Sequence, residues 1–477
     1  MTALRKLAGD TLLYGLGSMI PRFLVFILFP VHTHVFEPGE YGVFTYLMAI
    51  VAFMNVVYTF GMETAYFRFA TKPGADPAKV FNIALTAVGT ISFVLSASFI
   101  LASSSLSDLL DARQDHIIWL SVILFIDNVS SIPFAKLRLE KKALRFALFR
   151  LINAAVFIGL NLYFFYVAFD PAIGIGYIFI ANIASASLYL IYFLKDFARW
   201  RPTFDRQIFP EMVGYSYPIM LTGLAAMNNE FFSRVSLERL LPDNFYPGRS
   251  SEYAVGILGA CTRLAVLMNL TVQAFKMAAE PFFFSQAGEK DSPALFARVN
   301  HYFTVFCCLI LLGVGINLDV LKYLMDEAYW EGIIVIVPLL LGYMLLGIYY
   351  NLTVWYKLTD KTYYGTIITI GGAALTILLN FLFIPIAGYL GSAWASAAVY
   401  GVMTIACYLL GQKYYPIPYH VTRDVMYIGL TTLLVYGVNS ISPADLTISI
   451  PLHAGVVLLW CLAVYLLERR SLQALRT

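Results

Sequence analysis

The sequence predicts an all-α polytopic membrane protein with fourteen transmembrane helices. Its residues are 60% hydrophobic and only 13% charged, whereas soluble domains average about 45–50% apolar and about 25% charged residues. Fourteen apolar stretches are long enough to cross a bilayer, and the first and seventh share a local pattern at a fixed offset of 212 residues. We therefore expect two six-helix lobes related by a pseudo-two-fold axis along the membrane normal, followed by two extra helices.

Each predicted span contains the ~20 mostly apolar residues that a membrane helix needs. Helices are expected because each span must satisfy its own backbone hydrogen bonds in lipid. The spans are 11–33, 41–62, 80–102, 116–135, 146–168, 173–194, 213–240, 253–275, 300–321, 333–355, 363–385, 389–411, 423–440 and 447–467. The predicted domains are an N-terminal lobe (1–195), a cytoplasmic linker (196–212), a C-terminal lobe (213–414), and a helix pair with a tail (415–477).

The positions of the basic residues predict that both termini lie in the cytoplasm. With that orientation, 23 of the 32 Lys and Arg residues fall in inner segments and four in outer loops. Cytoplasmic loops of membrane proteins carry such an excess. The net charge of +3 is too small to indicate a nucleic-acid partner. The five cysteines lie in apolar stretches without ligand spacing, so no metal site is expected.

The repeat is visible around two arginines. Six spans per half give both halves the same orientation, as in transporters built from parallel repeats. The alternative is a coincidence of a few identities at one offset. The matched segments are Arg22, Pro30 and Glu40-Tyr41-Gly42-Val43 against Arg234, Pro242 and Glu252-Tyr253-Ala254-Val255, with a second match between the basic loops 138–142 and 357–361.

Arg22 and Arg263 are the first candidates for binding a substrate anion. An arginine at a helix centre costs about 2.5–3.5 kcal/mol on insertion scales, so it must be paired or face water or a ligand. Neither has an acidic neighbour within one turn of its own helix. A guanidinium binds phosphate oxygens in bidentate fashion, which suits a pyrophosphate. The alternative is a structural partner on another helix, for example Asp127.

Two further cations lie four residues from a carboxylate. Arg234 follows Glu230 at this spacing, and Glu280 follows Lys276, so each pair shares a helix face. Arg234 is therefore a candidate for pyrophosphate binding or for a structural pair. For Lys276 the structural role is favoured, since a lysine near a span end reaches the interface. Arg150, one turn inside the fifth span, is expected to do the same.

The embedded carboxylates are candidates for ion coupling or for charge pairing. Coupling to an H⁺ or Na⁺ gradient is an open alternative to structural hydrogen bonding, because intramembrane carboxylates in transporters often bind ions. These residues are Asp127, Glu230, Glu280 and Glu63. The sequence has no Walker-type glycine loop, no nucleophile motif and no soluble catalytic domain. We therefore expect no enzymatic activity and no cofactor.

Short motifs spread along the chain form a combined set. They are Gly9-Asp10-Thr11-Leu12-Leu13-Tyr14-Gly15-Leu16-Gly17, Pro21-Arg22, Glu40-Tyr41-Gly42, Gly61-Met62-Glu63-Thr64-Ala65, Phe67-Arg68, Ala279-Glu280-Pro281-Phe282-Phe283 and Trp355-Tyr356-Lys357-Leu358-Thr359-Asp360-Lys361-Thr362. With these motifs the chain resembles, over nearly its whole length, the Wzx-type polysaccharide flippases of bacteria, in the superfamily that includes lipid II flippases and multidrug extruders.

The resemblance implies twelve helices around a central cavity lined mainly by spans 1, 2, 7 and 8. It also implies a substrate oligosaccharide linked to undecaprenyl pyrophosphate, which crosses the bacterial inner membrane for surface polysaccharide synthesis. Cavity arginines on the first and eighth helices of lipid II flippases correspond by helix to Arg22 and Arg263. The fourteen spans are also similar to those flippases, in which the extra pair helps to form a lipid groove.

Three functions follow from these observations. The first is a flippase for a lipid-linked oligosaccharide that works by alternating access, with membrane lipids as further partners. The second is a cation-coupled multidrug exporter, whose cavity should be acidic, in contrast to the cations found here. The third is a membrane scaffold that transports nothing and belongs to a complex of polysaccharide polymerase and assembly proteins.

Overall fold

The computed structural model describes residues 19–21, 23–286, 289, 291–443 and 445–473. The regular elements of these residues are helices. In the first half they are α1 (Leu28–Val35), α2 (Pro38–Thr59), α3 (Met62–Ala70), α4 (Pro77–Leu101), α5 (Ser103–Leu110), α6 (Gln114–Leu139), α7 (Ala143–Tyr166), α8 (Gly176–Tyr192), α9 (Leu194–Arg199) and α10 (Ile208–Leu240). In the second half they are α11 (Ser251–Gln286), α12 (Ser292–Gly315), α13 (Leu318–Leu321), α14 (Ile336–Leu352), α15 (Val354–Leu358), α16 (Tyr363–Tyr414), α17 (Val421–Ile441) and α18 (Leu446–Gln473).

The chain is a multi-pass membrane protein, as the composition predicts. Among the described residues, 10 helices are long and apolar enough to cross a membrane, and two shorter apolar helices span Met19–Val35 and Gly176–Tyr192. One of the ten, α16, has 52 residues and bends at Gly388, where φ is 54°, so it contains the two spans predicted at 363–385 and 389–411. The seventh predicted span, α10, is not among the ten. The total of fourteen stays a prediction.

Aspartates accept backbone hydrogen bonds at the start of α4 and just before α10. Asp76 accepts a hydrogen bond from the Ala78 N–H before α4, and Pro77 occupies the first helical position, where its missing N–H costs nothing. Asp205, in the predicted linker, binds Lys79 at 2.7 Å and accepts from the Ile208 and Gln207 N–H groups. These contacts, Lys79 first, lower the pKa of Asp205 to about 2. Their contribution to stability is therefore present above pH ~4 and is lost only as the pH falls toward 2.

The chain divides into two compact units, the first of which holds Met1–Gly259 and Thr376–Phe381. In this unit α4 packs on α6, α6 on α8, and α10 on α2 and α3. A core cluster forms where α3, α4, α6 and α10 meet, and it includes Met62, Tyr66, Ile83, Ile132 and Met212. A second, aromatic cluster joins α6 to α7 and α8 through Phe134, Phe146, Tyr189 and Phe193.

The second predicted span is interrupted near its end. α2 ends at Thr59, and Phe60 and Gly61 adopt left-handed conformations with φ of 49° and 68° before α3 begins. A Cβ atom at Gly61 would lie 2.9 Å from the Ser216 carbonyl oxygen of α10. Glycine is therefore needed here both for its positive φ and for the close approach of α10.

Two glycines allow α2 and the first turns of α11 to cross at backbone contact within the first unit. A Cβ atom on Gly42 would lie 1.8 Å from the Glu252 carbonyl oxygen, and one on Gly256 would lie 1.8 Å from that of Pro38. Small residues permit such close packing between membrane helices. The crossing joins the two segments that the repeat aligns, although the two glycines are 214 residues apart rather than 212.

The second unit holds Ala260–Leu375 and Leu382–Thr477. At its centre α12 packs against α14, α17 and α18. Apolar side chains from α11, α12 and α15 meet the segment before α17 in a cluster that includes Phe283, Phe296, Val354 and Ile417. The helix pair α17–α18 therefore packs on α12. The predicted lobe boundaries at 195, 213 and 414 stay predictions.

Candidate functional site

Arg263 lies on an open face of α11. Its side chain is exposed, whereas its neighbours Cys261, Leu264 and Ala265 are fully buried. The exposed residues Ala274, Met277 and Ala278 follow it at helical spacing, so one stripe of α11 is uncovered by the described part of the protein. No described carboxylate lies within 4 Å of the guanidinium. Arg263 is therefore a cation within a predicted membrane span that no carboxylate in the described part of the chain compensates.

Arg234 is half-buried on α10 and contacts its own helix. Its Nη1 donates to the backbone carbonyl of Glu230 at 3.1 Å, and its Nε is buried with no hydrogen-bond partner among the described residues. The sequence predicted that Arg234 and Glu230 share a helix face, and the contact that Arg234 makes there is with the main-chain carbonyl of Glu230. Arg22, the repeat counterpart of Arg234, lies outside the described residues.

Asp127 interacts with a cation on the neighbouring helix. It lies on α6, and the guanidinium of Arg150 on α7 is the charge that acts on it. That guanidinium lies 4.3 Å from the ring centre of Phe134 and 5.5 Å from that of Tyr189. The two aromatic rings pack against the half-buried Arg150, and the expectation that its side chain reaches the membrane interface stays a prediction. The charge of Arg150 on α7 thus acts on Asp127 of α6, although the two side chains lie farther apart than the 4 Å of an ion pair.

Replacing Arg150 by alanine is expected to lower the free energy of unfolding by about 1 kcal/mol, because it leaves the half-buried Asp127 carboxylate without the cation that acts on it. The double variant Arg150→Ala/Asp127→Asn should recover most of this loss. Thermal unfolding of the purified protein in detergent measures both effects. Equal destabilisation in the single and double variants would show that the electrostatic pair contributes nothing.

Glu63 and Glu280 form equivalent ion pairs in the two repeats. In the first unit Glu63 of α3 binds Arg138 at the end of α6. In the second unit Glu280 of α11 binds Lys357 of α15 at 2.7 Å. Both pairs join the end of the second span of a repeat to the end of its fourth. Their occurrence at matching places supports the duplication and favours a structural role for both carboxylates.

The loops that follow these cations also have the same backbone geometry. Lys141 and Asp360 adopt left-handed conformations with φ of 55° and 56°. In the first loop the Lys142 N–H donates to the Leu137 carbonyl at 2.8 Å, and in the second the Lys361 N–H donates to the Tyr356 carbonyl at 2.9 Å. This is the helix-terminating pattern of a Schellman motif. The residue at positive φ, the N–H donor and the carbonyl acceptor of the first loop each recur 219 residues later in the second loop.

Reversing the charge of Arg138 (Arg138→Glu) is expected to lower the free energy of unfolding by about 1 kcal/mol, since the pair is roughly one-third exposed and such pairs contribute little. The swapped variant Glu63→Arg/Arg138→Glu should restore most of the unfolding temperature. The corresponding swap of Glu280 and Lys357 is its matched partner in the other repeat. A swap that is as unstable as the single reversal would contradict an ion-pair role.

Lys276 does not share the ion pair of Glu280. Its ammonium lies 4.0 Å from the ring centre of Tyr350 on α14, a cation–π distance. Lys276, Glu280, Tyr350 and Lys357 line one small cleft at the ends of α11 and α14. Three charged residues are thus brought together here, with Lys357 rather than Lys276 as the partner of the carboxylate.

Sequence reasoning missed a buried cluster formed by His301, Asp424 and Glu468 of α12, α17 and α18. The His301 Nδ1 lies 2.5 Å from Asp424 Oδ1, and its Nε2 lies 3.2 Å from Glu468 Oε1. The signal available in the sequence was three ionisable residues in or beside the ninth, thirteenth and fourteenth apolar spans. No group of three or more metal-ligating side chains with suitable geometry is found in the described ranges.

Comparison with known proteins agrees with this architecture. Residues 7–286 match the family described as polysaccharide biosynthesis protein. No curated protein matches the chain. Among solved structures, a lipid II flippase in an inward closed conformation has a TM-score of 0.73 at 14% identity, covering 97% of this chain and 100% of that one.

Two transporters of the MOP superfamily have the same fold at lower similarity. An inward-facing multidrug resistance transporter of the MATE family has a TM-score of 0.60 at 14% identity, covering 85% of this chain and 95% of that one. A transporter from Pyrococcus furiosus, described as having a binding pocket of reversed polarity, has a TM-score of 0.52 at 13% identity, covering 88% and 96%. The fold and family that the sequence motifs suggested are therefore confirmed, and the chain belongs to the polysaccharide biosynthesis protein family.

Proposed function

We propose that this protein is a flippase that moves an oligosaccharide linked to undecaprenyl pyrophosphate from the inner to the outer leaflet of the bacterial cytoplasmic membrane. It does so by alternating access around a cavity lined with arginines, and its N- and C-termini lie in the cytoplasm. Membership of the polysaccharide biosynthesis family and the fold shared with a lipid II flippase support this proposal.

The observation that carries the proposal is the exposed guanidinium of Arg263, which has no ion-pair partner among the described residues of this membrane protein. A cation that is neither buried in a core nor paired with a described carboxylate retains its full desolvation cost in lipid. Water and an anionic ligand would both remove that cost. A pyrophosphate fits best, because it offers several oxygens to the planar donors of arginine. Arg22 and Arg234 are proposed to contribute to the same electropositive site.

The polar and apolar parts of the proposed substrate need different surroundings during transport. The pyrophosphate would pay a large desolvation cost in the bilayer interior, and the cavity arginines offset it. The sugars need a hydrated path for the same reason. The polyprenyl chain is as apolar as the lipid and can remain in the bilayer throughout. The protein therefore has to enclose only the polar part of the molecule, and no chemical bond changes.

Multidrug export is the principal rival. Its mostly cationic substrates call for an acidic cavity, and the positive charge of Arg263 opposes that.

The scaffold alternative gives the embedded charges no role, so neutralising them would leave polysaccharide assembly intact. For the energy source, Asp127, Glu230, Glu63 and Glu280 are proposed as candidates for H⁺ or Na⁺ coupling or for charge pairing, and Glu63 and Glu280 each contact a cation on another helix. Polymerase and assembly proteins remain proposed partners.

The test compares wild-type cells with a strain from which the gene has been deleted. The deletion should remove the surface polysaccharide and leave its lipid-linked precursor inaccessible to a membrane-impermeant glycosidase added outside spheroplasts. Re-expression should expose the precursor, with no change across a panel of cationic drugs. Increased drug sensitivity in the deletion strain, with the precursor distributed normally, would reject the flippase in favour of the exporter.

A further inference from the structure

The cluster formed by His301, Asp424 and Glu468 links three helices of the second unit. The three residues are 3%, 7% and 3% exposed, so almost no water reaches them. His301 comes from α12, Asp424 from the first turn of α17, and Glu468 from near the end of α18. The two carboxylates thus approach opposite nitrogens of one imidazole ring, and each comes from a different helix of the C-terminal pair.

Neutral hydrogen-bonding groups surround this cluster. Asn300 Nδ2 donates to Asp424 Oδ2 at 3.3 Å, and the Tyr427 hydroxyl donates to Glu468 Oε1 at 3.1 Å. The charges that act on the ring are those of the two carboxylates. The other nearby titratable or polar groups are Tyr302 and Cys308 of α12, His420 and Arg423 at the start of α17, and Asn351 of α14.

The contacts of His301 determine how many protons its ring carries. A carboxylate only accepts hydrogen bonds, and a neutral imidazole carries one N–H. Both ring nitrogens of His301 lie within 3.2 Å of carboxylate oxygens, although the Nε2 contact lacks hydrogen-bond geometry, so on a neutral ring one lone pair would lie close to a negative charge. It would also leave two buried carboxylates with no cation between them, a costly arrangement. Imidazole is a stronger base than a carboxylate, so the additional proton resides on the ring.

We propose that His301, Asp424 and Glu468 form a proton-binding site, and that the bound proton stabilises the packing of the α17–α18 pair against α12. With the proton bound, one imidazolium attracts a carboxylate on each helix of the pair. Without it, two like charges from α17 and α18 converge on an uncharged ring. Proton release therefore loosens the attachment of both helices at once. The inference does not depend on the identity of the transported molecule.

A second histidine at the other end of the pair provides a natural comparison. His453 of α18 is also buried, but its Nε2 lies 2.8 Å from Ser442 Oγ and its Nδ1 3.3 Å from Asn317 Oδ1. Its nearest carboxylate, Asp319, is 3.7 Å away and accepts a hydrogen bond from Ser449. A neutral ring satisfies both of these close contacts. His453 therefore contributes to the packing of the pair as a neutral ring. It is the matched control for His301, which needs an additional proton.

The protonation state can be measured directly on the full protein in lipid with ¹⁵N-labelled histidine. At pH 8, where a free imidazole is neutral, the ¹⁵N spectrum should contain one doubly protonated ring. The His301→Gln variant should lack that signal, and Asp424→Asn/Glu468→Gln should convert it to a neutral ring. The His453→Gln variant should leave it unchanged. A neutral His301 at pH 8 in the wild type would overturn the proposal.

Hydrogen exchange of α17 and α18 tests the mechanical consequence. At pH 8, His301→Gln should raise their exchange, corrected for intrinsic rates, by about a hundredfold, as expected for two unpaired buried charges. Lowering the pH toward 5 should reverse most of this rise. The neutral triple variant His301→Gln/Asp424→Asn/Glu468→Gln should exchange slowly at both pH values. Any effect of His453→Gln should be independent of pH. Equal, pH-independent exchange in the single and triple variants would contradict a proton-dependent attachment.

Discussion

Arg263→Ala is expected to reduce translocation of the lipid-linked oligosaccharide by at least about tenfold, while the amount of folded protein in the membrane stays unchanged. Each charge-assisted hydrogen bond to the pyrophosphate contributes about 1.5–3 kcal/mol, and alanine removes all of them. Folding should not suffer, because the exposed guanidinium has no described carboxylate to leave unpaired. The measurement is the rate at which labelled precursor becomes accessible to an external glycosidase in proteoliposomes.

Two variants control this prediction. Arg263→Lys keeps the charge but loses the bidentate geometry, so it should retain an intermediate rate. Arg201→Ala removes an exposed arginine from the predicted linker and should translocate at the wild-type rate. Wild-type translocation by Arg263→Ala would remove this residue from the substrate site. A loss that appears only together with a lower unfolding temperature would assign it a structural role instead.

Gly42→Ala is expected to destabilise the protein by about 3 kcal/mol, at the upper end of what overpacking costs. The added methyl group would lie 1.8 Å from a backbone oxygen of α11. A backbone atom cannot rotate away like a side chain, so α2 and α11 would have to separate. The unfolding temperature of the purified protein, together with its yield from membranes, measures the effect.

Gly39→Ala is the matched control, since Gly39 lies in the first turn of the same helix and its Cβ would meet nothing within 4 Å. It should be neutral or slightly stabilising, because alanine is the better helix former. Gly256→Ala should resemble Gly42→Ala, and the double variant should cost less than the sum of the two, since both force apart the same pair of helices. Equal stability of the Gly39 and Gly42 variants would contradict the close crossing.

The sequence was sufficient to predict the features that depend on local composition. An apolar stretch of about 20 residues is a membrane helix wherever it packs, so the boundaries of α4, α6, α7 and α17 lie near the predicted ones. The basic loops 138–142 and 357–361 were recognisable as repeats because their charges follow the fourth span of each half. Family and fold followed from motifs spread over the chain.

The partners of the embedded charges could not be predicted, because they come from distant helices. Spacing along one helix suggested Glu230 for Arg234 and Glu280 for Lys276. The structure instead gives Arg234 a backbone carbonyl and gives Glu280 the side chain of Lys357. The break at Phe60–Gly61 was also missed, since a non-glycine residue at positive φ leaves no composition signal. Asp424 and Glu468 lie near the ends of their spans and resembled ordinary interfacial charges.

Water access at position 263 tests the central claim most directly. In membranes, Arg263→Cys should react with a charged, membrane-impermeant thiol reagent, above the background of the native cysteines, which are largely buried. Undecaprenyl pyrophosphate should protect it. Leu458→Cys, at a position on α18 that is 70% exposed and expected to face lipid, should not react. If position 263 is as unreactive as position 458, Arg263 faces lipid and the proposed hydrated, cationic cavity does not exist.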